Sequence, residues 1–211
     1  MIISLSILNI NSEDRKNKIS DFSVLDNWIH FDVMDGKFVE NKTFAYEVVG
    51  EVNGYCSLFK DVHLMTYNPS CHLRAYKESG ADQITFQYES VEKSQIMPLI
   101  NEIKGLNMKV GISVKPNTNI EEIKEYLPYL DLVLVMSVEP GKGGQKFMDS
   151  SLDKIRYLKD IRGSNCYLIS VDGGINNETS KIVKQAGADV VVVGTYLTKE
   201  KITEDKIKEL I

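Results

Sequence analysis

Strand-like and helix-like stretches alternate eight times along the 211 residues, and this predicts one closed parallel barrel, the (β/α)8 or TIM class, over residues 1–211. The alternation runs from end to end with no linker, low-complexity tract or change of composition. Eight βα units fit so short a chain as a compact ring, which leaves no strand edge and lets the helices cover its outside. Glycines gather after the sixth, seventh and eighth strands, whereas the competing architecture, an open doubly wound sheet, carries its glycine fingerprint after the first.

The elements follow in order. Ile2 to Asn9 alternates around Ser4 and Ser6 as a first strand, and the polar segment Ser12 to Asp26 has room for one helix. Trp28 to Met34 is the second strand, rich in aromatic and branched side chains. Phe44 to Asn53 has helical spacing, and Tyr55 to Met65 is an apolar third strand. Asn68-Pro69-Ser70 opens a helix that ends at Gly80, with proline early, where its missing N–H does no harm. Gln83 to Phe86 is the fourth strand. Ser90 to Lys104 is the next helix, stopped by Gly105, and Pro98 implies a bend or a late start. Met108 to Val114 is the fifth strand, and Asn119 to Tyr126 a short helix with an acidic first turn. Leu132 to Val138 is almost wholly apolar, as suits a strand buried on both faces. A helix over Asp149 to Arg162, a strand over Cys166 to Val171, a helix over Asn176 to Gln185, a strand over Val190 to Val193 and a helical segment over Thr195 to Ile211 complete the chain.

Composition narrows the function. A net charge of -5 with interspersed signs gives no basic stripe, so nucleic acid is not an expected partner. No apolar run approaches the roughly 20 residues that span a bilayer. The opening MIISLSILNI lacks the basic start and cleavage site of a secretory signal, so a cytoplasmic chain without membrane contact is expected. Three cysteines without CxxC spacing suggest free, mostly buried thiols.

The chemistry gathers at strand ends. His30 and Asp32 share a face of the second strand because alternate residues of a strand point the same way, and Asp35-Gly36 then supplies a turn. Taken alone, the pair reads as a satisfied histidine and a capping aspartate. In a parallel barrel, however, the C-terminal strand ends share one mouth. His63 ends the neighbouring third strand and Asp172 the seventh, so two imidazoles and two carboxylates can form the shell of a divalent first-row ion. His72, within a helix, reads as a surface or packing residue. Pro140 to Gln145 is a glycine-rich loop but not a Walker loop, since no Ser or Thr follows Gly-Lys at the required place. Gly173-Gly174 and Gly194-Thr195 each stand before a helix, and with the loop they suggest a site for phosphate. Met34, Met65 and Met136 lie near strand ends and are expected to line the mouth.

The sequence resembles the ribulose-phosphate 3-epimerase family almost end to end. The resemblance rests on Ser6-Ile7-Leu8, HFDVMDGKFVENKTF from His30, DVHLM from Asp61, LVMSVEPGKGGQKF from Leu134, SVDGGIN from Ser170 and GADVVVVGT from Gly187. It implies a phosphate-binding TIM barrel that interconverts D-ribulose 5-phosphate and D-xylulose 5-phosphate in the pentose phosphate pathway, and a homo-oligomer. It implies one divalent ion per subunit on His30, Asp32, His63 and Asp172, zinc first, with iron, manganese or cobalt as alternatives. Asp32 and Asp172 are then the acid/base pair, and Ser6 and His63 contact substrate. Gly143, Gly144, Gly173, Gly174, Gly194 and Thr195 take the phosphate, and Gln145 and Lys146 belong to the same substrate-binding set. Three residues depart from the family pattern. Lys142 stands where Phe is usual, Gln87 where His is common, and Asn9 where a small residue is usual.

Inverting a carbon beside a ketone needs a base on one face and an acid on the other, and two carboxylates supply both. An aspartate with a reference pKa of about 3.9 is too weak to deprotonate such a carbon unaided, so a Lewis acid is expected to stabilise the enediolate. A hexulose 6-phosphate epimerase acting on allulose 6-phosphate would keep every motif. A metal-free isomerase would leave the two histidines without a shared task, and a non-catalytic phosphosugar-binding barrel would bind without exchanging the C3 proton.

Overall fold

The computed structural model describes residues 1–23 and 27–211. Its eight strands are β1 (Ile2–Ser6), β2 (Trp28–Met34), β3 (Phe59–Met65), β4 (Gln83–Gln87), β5 (Lys109–Val114), β6 (Leu132–Met136), β7 (Leu168–Asp172) and β8 (Val190–Val193). All pair in parallel, each with its sequence neighbour, and β1 closes on β8. The TIM barrel is therefore as predicted.

The helices outside it are α1 (Ser12–Phe22), α2 (Tyr46–Asn53), α3 (Leu73–Glu78), α4 (Lys93–Gly105), α5 (Ser151–Ile161), α6 (Thr179–Ala186), α7 (Thr195–Thr198) and α8 (Glu204–Lys208). The far end of the expected first helix, residues 24–26, lies outside the described residues. Two expected helices become 3-10 structure in whole or part. Pro69–His72 forms a 3-10 turn ahead of α3, and Ile120–Tyr129 is 3-10 throughout, capped by Asn119, whose side chain accepts from the Glu121 N–H. Pro128 lacks the N–H that an α-helical bond would need there. Pro98 is inside α4, which starts late, at Lys93, because Tyr88–Ser90 forms its own turn. The closing segment splits into α7 and α8. Among the described residues no helix is long and apolar enough to cross a membrane.

Two cores result. The larger lies between strands and helices, and includes Phe22, Phe31, Phe86 and Tyr167. The smaller fills one side of the barrel interior with Leu132, Leu134, Met136, Val138, Val190 and Val192. The other side of the interior carries buried polar side chains from β2 to β5: His30, Asp61, His63, Gln83, Thr85, Gln87 and Ser113. Burying so many polar groups is costly unless they bond one another or a ligand, and this asymmetry locates the site.

The thiols need correction. Cys56 is buried, but Cys71 and Cys166 are exposed. Cys71 sits on the 3-10 turn, and Cys166 precedes β7, which starts two residues later than the sequence suggests.

Candidate metal centre and active site

Strand register assembles the cluster. Asp32 on β2 stands beside His63 on β3, and Ser6 on β1 beside His30. Asp172 arrives from β7, and the four side chains each offer a ligand atom, all within 4.8 Å of one another. His30 Nε2 is 3.4 Å and His63 Nδ1 3.5 Å from Asp32 Oδ1, too long for good hydrogen bonds. Both nitrogens are buried without a hydrogen-bond partner. Two lone-pair nitrogens and two carboxylates facing one point are what a divalent first-row cation takes, and it would satisfy both orphaned nitrogens.

A supporting layer holds these groups. His30 Nδ1 is 2.9 Å from Asp61 Oδ2, while Asp61 Oδ1 accepts from Gln83 Nε2 at 2.8 Å and Thr85 Oγ1 at 2.9 Å. Gln87 lies 2.8 Å from His63 Nε2. Ser6 Oγ donates to Asp32 Oδ2 at 2.7 Å. Sequence pattern alone singles out none of Asp61, Gln83 and Thr85 for the site. Their signal was polar residues at inward positions of adjacent strands.

The carboxylates titrate apart. Burial pushes Asp172 up to about 7, helped by the charge of Asp32. Asp32 is buried too, yet the charge of the nearby His30, with His63 adding to it, holds it well below the usual carboxylate range. His30 is raised despite burial by Asp32 and Asp61, and burial lowers His63. One carboxyl thus holds its proton near neutrality where its neighbour does not.

Above the cluster opens a cavity of about 280 Å³. Ser6, Asp32 and Asp172 line it, as do Met34, Met65 and Met136; Gly143, Gly144, Gly173, Gly174, Gly194 and Thr195 line it too. Thus Ser6, both carboxylates, the three methionines and the six expected phosphate residues come together. His30 and His63 are fully buried and do not line it. Gln145 lines it, but its amide donates to the Glu139 and Lys142 carbonyls and braces the glycine-rich loop. Lys146 is exposed and is not among the residues that line the cavity. Asn9, Asn176, Tyr196 and Lys199 line the cavity and were not singled out for the site. His72 is exposed beside the Tyr46 ring, as expected.

Gly173 and Gly174 both have positive φ, and a Cβ on Gly174 would stand 2.4 Å from the Phe147 backbone nitrogen. Only glycine fits there. They do not immediately precede a helix, however. Asn176 Oδ1 accepts from the N–H groups of Glu178 and Thr179, so α6 begins at Thr179, later than predicted. Any anion at this turn would meet loop amides rather than a helix end. Over the mouth, Asn41 Nδ2 donates to the Gly141 carbonyl at 2.7 Å and ties the loop after β2 to the glycine-rich loop.

Comparison with known proteins bears on this arrangement. A family model described as the Ribulose-phosphate 3 epimerase family matches residues 2–198. The ribulose-phosphate 3-epimerase of Chlamydia muridarum is 37% identical over 190 residues, 88% of this chain and 82% of that one. The one from Aquifex aeolicus is 40% identical over 185 residues, 86% of this chain and 82% of that one. Among solved structures, the tryptophan synthase α-subunit of Pyrococcus furiosus gives a TM-score of 0.74 at 18% identity, covering 100% of this chain and 96% of that one. That likeness concerns the barrel alone.

Proposed function

Because the chain belongs to the ribulose-phosphate 3-epimerase family, we propose that it inverts C3 of a ketose phosphate, D-ribulose 5-phosphate to D-xylulose 5-phosphate, with Asp32 and Asp172 as the proton carriers. The observation that carries this reading is the meeting of these two carboxyls, from the well-separated strands β2 and β7, in one cluster at the floor of the cavity. Two carboxyls reaching one substrate carbon from different sides can serve as base and acid.

The ionised Asp32 takes the C3 proton of one epimer, and the protonated Asp172 delivers a proton to the opposite face. The roles exchange in the reverse direction. Ser6 holds one oxygen of Asp32, so the carboxylate keeps a fixed aim. Met34, Met65 and Met136 give the cavity an apolar wall that discourages water from the reacting carbon. The amides around Gly143, Gly144, Gly173, Gly174 and Gly194 hold the phosphate. Thr195 Oγ1 already accepts from Asn9 Nδ2 at 3.2 Å, so its own proton is free to bond the phosphate. A divalent ion held by His30, Asp32, His63 and Asp172 supplies Lewis-acid stabilisation of the negative charge that develops on the substrate oxygens, worth several kcal/mol.

The test is C3 proton exchange of ribulose 5-phosphate in deuterated water, before and after chelation. Exchange together with xylulose 5-phosphate formation is expected, both lost on chelation. Binding without exchange would refute catalysis, and faster turnover of allulose 6-phosphate would reassign the substrate.

A further inference from the structure

The four ligands leave one requirement open, which rests on the metal reading above: His63 must present Nδ1 as a lone pair. A neutral imidazole carries its proton on one nitrogen only, so a ligating Nδ1 requires the proton on Nε2. Whatever faces Nε2 therefore decides whether His63 can bind a cation. That group is the amide of Gln87, fully buried at the end of β4 and 2.8 Å away.

The two ends of the amide have opposite consequences. An amide N–H facing the ring donates to Nε2, which places the imidazole proton on Nδ1 and blocks ligation. It also leaves Gln87 Oε1 buried without a partner. An amide oxygen facing the ring accepts from Nε2–H and frees Nδ1. The two orientations have nearly the same shape and interchange by a half turn of the amide. The half turn gives Oε1 a partner in the Nε2–H of His63. Because His63 Nδ1 faces the cluster, its ligation requires the orientation in which Oε1 accepts from Nε2–H.

The geometry points to Gln87 as the positioning residue that holds His63 in its Nε2–H tautomer, with Oε1 as acceptor and Nδ1 directed at a divalent cation. On the other ligating ring, His30, Asp61 does the same work through Nδ1. The two histidines are thus set from opposite nitrogens by different chemistry, a carboxylate for one and an amide for the other.

Two variants of the full chain test this through zinc affinity, measured by competition with a chromogenic chelator. Gln87→Met keeps length without an acceptor and is expected to loosen zinc by about 10- to 100-fold, the usual effect of losing an orienting partner. Gln87→Glu keeps an acceptor at the same place and is expected to bind at least as tightly as the native chain. A Met variant as tight as the native chain, or a Glu variant as weak as Met, overturns the proposal. Imidazole nitrogen NMR of the metal-free native chain, which has only three histidines, reads the tautomer without any substitution. His63 as Nε2–H is expected, and Nδ1–H overturns the assignment. A native chain that takes up no zinc overturns the metal reading instead, while the metal-free spectrum still decides the tautomer.

Discussion

The hydroxyl of Ser6 donates to Asp32 Oδ2 at 2.7 Å, so only Oδ1 of that carboxylate is left to face both imidazoles. One short side chain on β1 thereby divides the two oxygens between separate duties. A hydrogen bond to a charged group contributes about 1.5–3 kcal/mol, and the cavity end of β1 gives the lost group no protein replacement. Ser6→Ala is therefore expected to keep the fold and to lower kcat by about tenfold, each 1.36 kcal/mol being a factor of ten. Steady-state kinetics with a thermal melt check this. A variant with native kcat would show that Asp32 needs no such anchor.

Asp32→Asn and Asp172→Asn each replace a proton carrier by a group of the same shape that cannot exchange a proton. General acid–base catalysis contributes roughly 10²- to 10⁴-fold, and both steps are needed for inversion. Turnover is expected to fall by at least that factor in each variant, with the circular dichroism spectrum unchanged. Near-normal turnover in either one sinks the two-carboxylate scheme.

Asp61 never touches the cavity, yet its carboxylate fixes His30. Asp61→Asn can keep the acceptor used by Gln83 and Thr85, but the other end of the amide then presents N–H to His30 Nδ1. That donor forces the imidazole proton onto Nε2, the nitrogen aimed at the cluster. Zinc affinity is expected to drop about 10- to 100-fold, measured by the same competition assay. An unchanged affinity would show that His30 is oriented by its packing alone.

Much of this was legible in the sequence because strand periodicity is local. His30 and Asp32, two apart between an apolar run and Asp35-Gly36, could be assigned to one face, and β2 and β8 begin and end where their side-chain patterns do. Partners that meet through register were harder to see. Asp61 bonds His30 across 31 residues, and nothing in DVHLM alone says which of its polar residues faces the metal cluster and which supports it. The turn after Gly174 misled for another reason: Asn176 can open a helix or cap a turn, and only the loop's packing against Phe147 makes it the latter.

Removing the metal should also change how stability depends on pH. Without a cation, Asp172 is raised to about 7, above the roughly 3.9 of an unfolded aspartate, and His30 is raised as well. The folded state then holds a proton on Asp172 that the unfolded state has released, so the metal-free chain loses stability as pH rises from about 4 through 7; His63, lowered by burial, opposes this below about 6.5, and His30 adds to it above. A bound cation competes with those protons, so its own contribution grows over the same interval. Saturation at 100 times Kd adds about 2.7 kcal/mol, and at about 2–4 °C per kcal/mol for a chain of this size the gap in Tm at high pH is about 5–10 °C. Melts of chelated and zinc-loaded protein between pH 5 and 8 read it directly. The gap is expected to widen with pH as the chelated form falls. A gap that stays constant, or narrows, would mean that the carboxyl on β7 does not hold a proton with which the cation competes.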